Sequence, residues 1–307
     1  MQMNDLLRQV RLALKNEDYE AAVGALKQMV TIADNAGDVA AKGRHLGNLA
    51  LIYHRLNQPE RALDYFEQAL DCAQKEQDRV TEGGLLGNIG NILRELGRYK
   101  QAVAYLQLAL KIADETGDRR GRGIWLSNLG LVFDDLREPG EALIMHQEAV
   151  DIAHELQDQR GLASRLGNLG NTYVSLGDYT AALHFFGEAV TIFREMGDMR
   201  ELALRLGIMG NLHNELGRTA AHADEGRQHF SAALSLYAET LQLARDLGDV
   251  VSEAQLLRGV GNVMANAQQY DKAVTYFEAA ERFFTALGMA EDAAAVRESL
   301  AYVTGAQ

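Results

Sequence analysis

The stretch RLGNLGNTYVSLGDYTAALHFFGEAV, Arg165 to Val190, decides the fold. Its first half has the apolar spacing of a helix, yet Gly167 and Gly170 lie inside it, with Asn168 and Asn171 beside them. Glycine costs about 1 kcal/mol in a helix interior relative to alanine, and asparagine is a poor helix former as well. A chain that keeps placing such residues in its helices gains packing or binding from them.

It does keep placing them. The segments LGNLA, LGNIG, LSNLG, LGNLG and LGIMG begin at 46, 86, 126, 166 and 206, a spacing of 40 residues each time. A sixth copy, LRGVG, begins at 257, so the last interval is 51 and holds an 11-residue insertion. LLRQV at 6–10 holds the same register without the glycine and asparagine. A second marker follows each copy: YEAA, PERA, YKQA, PGEA, YTAA, FSAA and YDKA, starting at 19, 59, 99, 139, 179, 230 and 270. A third is an aspartate at 38, 78, 118, 158, 198 and 249. The pattern predicts a helix, a short turn, a second helix and an Asp-capped return. DMRE at 198–201 is the start of a capping box. Pro59 and Pro139 fall in the first turn of a second helix, and Gly97, Gly177 and Gly217 are placed as C-caps of first helices.

These residues resemble the tetratricopeptide repeat, with Leu166, Leu169, Gly170, Tyr173, Leu176, Tyr179, Ala182, Phe186 and Ala189 matching its pattern in one unit. Leucine stands where the repeat usually opens on a large aromatic, the closing proline is absent, and the period is 40 rather than about 34. The 40-residue, Leu-Gly-Asn-rich form is similar to the repeats of Pins-type adaptors and kinesin light chains. The resemblance implies an all-α, right-handed α-solenoid of seven helix-turn-helix units in one domain. The units are 1–37, 38–77, 78–117, 118–157, 158–197, 198–248 (with the insertion near 219–229) and 249–288; a capping helix covers 290–303. The G-protein-binding motifs of the spindle adaptors have no counterpart here.

Register separates the tasks of the unusual residues. Leu166, Leu169, Tyr173 and Leu176 follow one buried stripe. Gly170 and its counterparts Ala50, Gly90, Gly130, Gly210 and Gly261 are expected to face the second helix of their own unit, against a flat surface of Ala62, Ala102, Ala142, Ala182, Ala233 and Ala273. Gly47, Gly87, Ser127, Gly167 and Gly207 are expected to open floor space in a groove. In a tetratricopeptide superhelix the first helices line the concave surface. The resemblance therefore puts Asn48, Asn88, Asn128 and Asn168, and Asn91, Asn171, Asn211 and Asn262 three residues on, in that groove. Asparagine carries a donor and an acceptor, so a row of them can pair with an extended peptide backbone without demanding a sequence. The competing reading is that these amides bond between neighbouring helices and fix the stack. Arg44, Arg94 and Arg258 are expected around the row, with Glu95, Asp134, Asp135, Asn214, Glu215 and Asn266, giving a basic start, an acidic middle and a mixed end.

The remaining features read as structure. The 307 residues are 47% hydrophobic and 24% charged, as in a folded soluble protein, and the net charge of −13 disfavours nucleic acid and anionic membranes. The single cysteine, Cys72, precludes an internal disulfide, matches core positions of other repeats and fits a reducing compartment. The start, MQMNDLLRQVRLALKNEDYE, has too short an apolar run for a signal peptide, and no segment reaches membrane-spanning length, so the cytoplasm is the expected location. Arg79, Arg119, Arg120, Arg122, Arg160 and Arg200 read first as solvated rim charges and second as a ridge for acidic partners. His146 replaces a core phenylalanine, and GGLLGNIG at 83–90 lacks the strand and Lys-Ser/Thr of a phosphate loop. His222, Asp224, Glu225 and His229 in the insertion have no recognised metal-ligand spacing. The chain is expected to be no enzyme and to need no cofactor or metal. Its expected role is a scaffold or adaptor that holds an extended or helical peptide of a partner protein. The alternative is a regulatory sensor of a small molecule or signalling peptide, and a third reading is self-association through the solenoid ends.

Overall fold

The structure is a computed structural model that describes residues 2–305. All regular structure among those residues is α-helical, and the chain divides into two compact units, Met1–Asp158 and Gln159–Gln307. The first unit holds four helix pairs: α1 (Gln2–Lys15) with α2 (Tyr19–Asn35), α3 (Val39–Arg55) with α4 (Pro59–Lys75), α5 (Arg79–Glu95) with α6 (Tyr99–Thr116), and α7 (Arg119–Asp135) with α8 (Pro139–Glu155). The second holds three: α9 (Gln159–Ser175) with α10 (Tyr179–Met196), α11 (Met199–Thr219) with α12 (Ala223–Leu247), and α13 (Val250–Asn266) with α14 (Tyr270–Ala286). The last helix, α15 (Ala290–Gly305), packs on α14. Within each unit every helix packs on the next, which is the arrangement of an all-α repeat solenoid.

Local chemistry sets the helix ends. Asp18, Asp38, Asp78, Asp118, Asp178, Asp198 and Asp249 each cap a helix by accepting from the N–H three residues on, at 2.8–3.4 Å. The hydroxyls of Thr81 and Ser252 add a bond at 2.6 Å, which holds the Asp78 and Asp249 carboxyls below the usual range. Glu201 does not close a capping box; its carboxylate lies 3.4 Å from Arg205. Pro59 and Pro139 open α4 and α8 as expected. Gly97 and Gly177 end α5 and α9 with positive φ, +70° and +77°. Gly217 does not: α11 runs through it to Thr219, and its α-carbon lies against the Phe230 ring and the Gly226 carbonyl. The insertion is absorbed mostly as extra helix in α11 and α12 rather than as a loop.

The repeated glycines are seats for large side chains. A β-carbon on Gly90, Gly130, Gly170, Gly210 or Gly261 would lie 2.6–2.9 Å from Leu106, His146, Phe186, Tyr237 or Phe277, in the second helix of the same pair. Each of those residues stands four positions after the expected alanine, so the alanine face is flat because the next turn carries the bulk. The other register is open at Gly47 and Gly207, where a β-carbon would meet only Leu85 at 3.9 Å or Thr240 at 3.8 Å, and filled at two positions. Gly87 receives the indole of Trp125 and Gly167 the Arg205 guanidinium, each from the first helix of the following pair. The leucine stripe is buried at Leu166 and Leu169, while Tyr173 stacks on Phe185 at 5.3 Å and Leu176 is exposed.

Two glycines three residues apart on α5 should therefore respond oppositely to alanine. Gly84 has nothing within 4 Å of a β-carbon, whereas Gly87 has the Trp125 ring. Gly84→Ala is expected to raise unfolding free energy by about 0.5–1 kcal/mol, and Gly87→Ala to lower it by about 1–3 kcal/mol, measured by urea denaturation.

Candidate functional site

In the first unit the asparagine row lies on α3, α5 and α7, the first helices of three successive pairs. Asn48 is exposed, and Asn88 and Asn128 are half-buried. None of the three makes a side-chain hydrogen bond to a described residue, so their amides meet solvent or a ligand. Asn91 is tied down: its amide nitrogen donates to Glu95 at 3.0 Å. Arg44 is exposed and has no carboxylate within salt-bridge distance among the described residues.

The second unit uses its asparagines differently. Asn168 is half-buried and has an interaction within the fold. Asn171 and Asn262 are exposed and make no side-chain hydrogen bond to a described residue. Asn211 accepts from the Tyr237 hydroxyl at 2.5 Å. Burial pushes the Tyr237 phenol up to about 12, so at neutral pH it stays the donor.

The charge blocks expected along the surface are largely paired off inside each unit. His54 meets Glu95 at 2.8 Å and Arg94 meets Asp135 at 3.1 Å, bonds between the ends of successive first helices; Asn214 and Asn266 repeat the link at 3.0 Å. Glu215 is held by Arg218, Asp134 by the buried His146 at 3.0 Å, and Arg258 by Asp292 at 2.9 Å. The arginine series is mostly a set of clamps rather than a free ridge. Arg79 bonds Glu82 and Glu115, Arg119 bonds Glu155, and Arg122 bonds Asp114 and Glu148. Arg120 bonds Asp158 at 3.3 Å within the first unit, and in the second Arg160 bonds Asp198, the cap of α11, at 2.8 Å. The third bond of that kind would join Arg200 to Asp249. It is not made, and Arg200 has no ion pair among the described residues.

A cavity of about 650 Å³ lies where that clamp is open, bounded by α11, α12 and α13. Leu204, Ile208, Leu247 and Leu256 give it apolar walls, and Arg200, Asn211, Tyr237, Thr240, Asp249, Ser252 and Gln255 are its polar groups. Gly207 explains the space. Its counterparts at 87 and 167 receive Trp125 and Arg205, but a β-carbon here would meet only the Thr240 methyl, at 3.8 Å. The sequence carried a signal for this place: the register filled by Asn48, Asn88, Asn128 and Asn168 changes to Ile208 and Gly259.

A tetratricopeptide repeat family model matches residues 4–75, 82–155 and 140–195. No curated protein sequence matches the chain. Among solved structures the fold is similar to a signal-transduction ATPase with numerous domains and a tetratricopeptide repeat sensor, from Pyrococcus horikoshii. That match has a TM-score of 0.73 and 14% identity over 98% of this chain and 49% of that one. The apo form of RapI gives 0.65 and 14%, covering 93% of this chain and 99% of that one. Kinesin light chain repeats from Podosopora anserina give 0.54 and 16%, covering 64% and 96%. At these identities the likeness is one of fold. Among the described residues no helix is long and apolar enough to cross a membrane, and no three metal-ligating side chains converge.

The inserted segment introduces a titratable contact. His213 on α11 and His229 on α12 share a hydrogen bond between their Nδ1 atoms at 3.0 Å. Burial, then the neighbouring His229, lowers the His213 pKa from 6.5. The unfolded chain thus takes up a proton that the folded one resists, so this contribution is present above about pH 6.5 and is lost as pH falls below it. The melting temperature should drop between about pH 7.5 and about pH 5, and His213→Asn should flatten that dependence.

Proposed function

Because the chain belongs to the tetratricopeptide repeat family, whose fold is generally a non-catalytic scaffold for protein interaction, we propose that it is an adaptor holding an extended or helical peptide of a partner protein. The peptide lies along the faces of the first helices. In the first unit Asn48, Asn88 and Asn128 offer amides to its backbone, and Arg44 offers a charge to an acidic side chain. One observation carries this reading: three amides recur every 40 residues on successive helices, and the fold uses none of them. An amide that meets both an N–H and a C=O binds main chain of any sequence, so affinity accumulates by repetition and selectivity is left to a few flanking side chains. In the second unit Asn171 and Asn262 have the same freedom, whereas Asn91 and Asn211 are already bonded and contribute less.

A regulatory sensor is the second reading. The cavity between α11, α12 and α13 supports it, as does the fold shared with a protein described as having a tetratricopeptide repeat sensor.

Asn88→Ala combined with Asn128→Ala distinguishes a binding role from a structural one. Capture of the partner from native lysate, quantified by mass spectrometry, is expected to fall at least about tenfold while the melting temperature stays within about 3 °C. A melting temperature that falls in step with capture would assign the amides to the stack instead.

A further inference from the structure

We propose that the cavity bounded by α11, α12 and α13 is the anchor site for one large apolar side chain of the bound peptide, with an acidic residue beside it in the sequence held by Arg200. This rests on the adaptor reading and names what its second unit selects. Three independent observations meet at this place. The Arg–Asp clamp is closed at Arg120–Asp158 in the first unit and at Arg160–Asp198 in the second but makes no ion pair at Arg200–Asp249. The glycine that seats a side chain of the following first helix at Gly87 and Gly167, and that Leu85 only touches at 3.9 Å at Gly47, meets no residue of the following first helix at Gly207. The asparagine register becomes Ile208 and Gly259, which turns a polar strip apolar.

Together these give a wedge lined by leucine and isoleucine, with an unpaired guanidinium at its edge. Asp249, which also lines the cavity, is within reach of the Arg200 charge but makes no ion pair with it, and its carboxylate accepts from the Ser252 N–H at 3.0 Å and the Ser252 hydroxyl at 2.6 Å. An incoming carboxylate therefore takes the place at Arg200 that Asp158 and Asp198 take at the earlier clamps. The apolar side chain beside it enters between Leu204, Ile208, Leu247 and Leu256. The mouth favours a side chain from a passing chain over an enclosed small molecule, since Leu204 is 52% and Leu247 40% exposed. An occupant covers these leucines only if it extends beyond the cavity. Asn211 adds selectivity for main chain: its carbonyl is bonded to Tyr237, and its amide nitrogen has no partner among the described residues.

The test is selection of a random dodecapeptide display library on the immobilised full chain, followed by fluorescence anisotropy with labelled synthetic copies of the enriched peptides. Enriched sequences should carry Asp or Glu within two residues of Leu, Met or Phe. Gly207→Leu fills the wedge at a position with open space, so it should weaken these peptides at least about tenfold without lowering the melting temperature. Leu204→Gln, at an exposed wall, should weaken them as well. Arg200→Gln should weaken them about tenfold, and should have no further effect once the peptide's own acid is changed to its amide. Peptides that bind Gly207→Leu and Leu204→Gln as well as the parent, yet lose affinity for Asn88→Ala/Asn128→Ala, would overturn the anchor and leave the adaptor reading standing. Enrichment of no peptide would overturn both. Decanoate, an apolar carboxylate, raising the melting temperature when no peptide is enriched would assign the cavity to a small acid and so overturn the peptide occupant.

Discussion

Everything in this chain depends on how closely the two helices of a pair approach. Where the first helix offers Gly90, Gly130, Gly170, Gly210 or Gly261, the second offers a leucine or a ring that occupies the space of the missing side chain. The buried surface of Leu106, Phe186 and Phe277 offsets the intrinsic weakness of glycine in a helix, because burying such a side chain stabilises by about 1.5–3 kcal/mol. His146 and Tyr237 use the same seat at the cost of polar atoms: Tyr237 bonds Asn211, whereas His146 bonds Asp134 through Nε2 and leaves Nδ1 buried without a partner.

The same economy governs the surface. A fold that joins successive first helices through His54–Glu95, Arg94–Asp135 and Asn214–Asn266 has little free charge left along that face. Exposed ion pairs of this type contribute little stability each, but they remove most of the charge pattern by which a ligand would be oriented. Arg44, Arg200 and the unbonded amides are among the groups that keep no side-chain partner among the described residues.

Much of the helix framework was legible in the sequence because its causes are local. Asp38, Asp78 and Asp249 cap, Pro59 and Pro139 start helices, and Gly97 and Gly177 end them through interactions within a few residues. Gly217 misled because its partners, Phe230 and Gly226, come from the far side of the insertion. Gly87 and Gly167 misled for a related reason: periodicity says which face a residue is on, but not that an indole or a guanidinium from the next pair is the neighbour. The asparagines illustrate the limit best. Asn91, Asn171 and Asn211 are indistinguishable by spacing, and only the presence of Glu95 or Tyr237 within reach separates a bonded amide from an unbonded one.

The insertion connects these threads. Eleven added residues lengthen α11 and α12 and bring His213 against His229 at their inserted end. In that pair the seating seen at Gly87 and Gly167 lapses at its other end, where Arg200 and Asp249 make no ion pair and Leu256 does not fill the space over Gly207. Repeats are constrained as long as each glycine must receive its neighbour's side chain. Where that requirement is relaxed, the positions facing the gap, 208 and 259, are free to become apolar, and they have. A cavity with Arg200 beside it follows from one irregularity in an otherwise strict period, in the one pair where the period is broken.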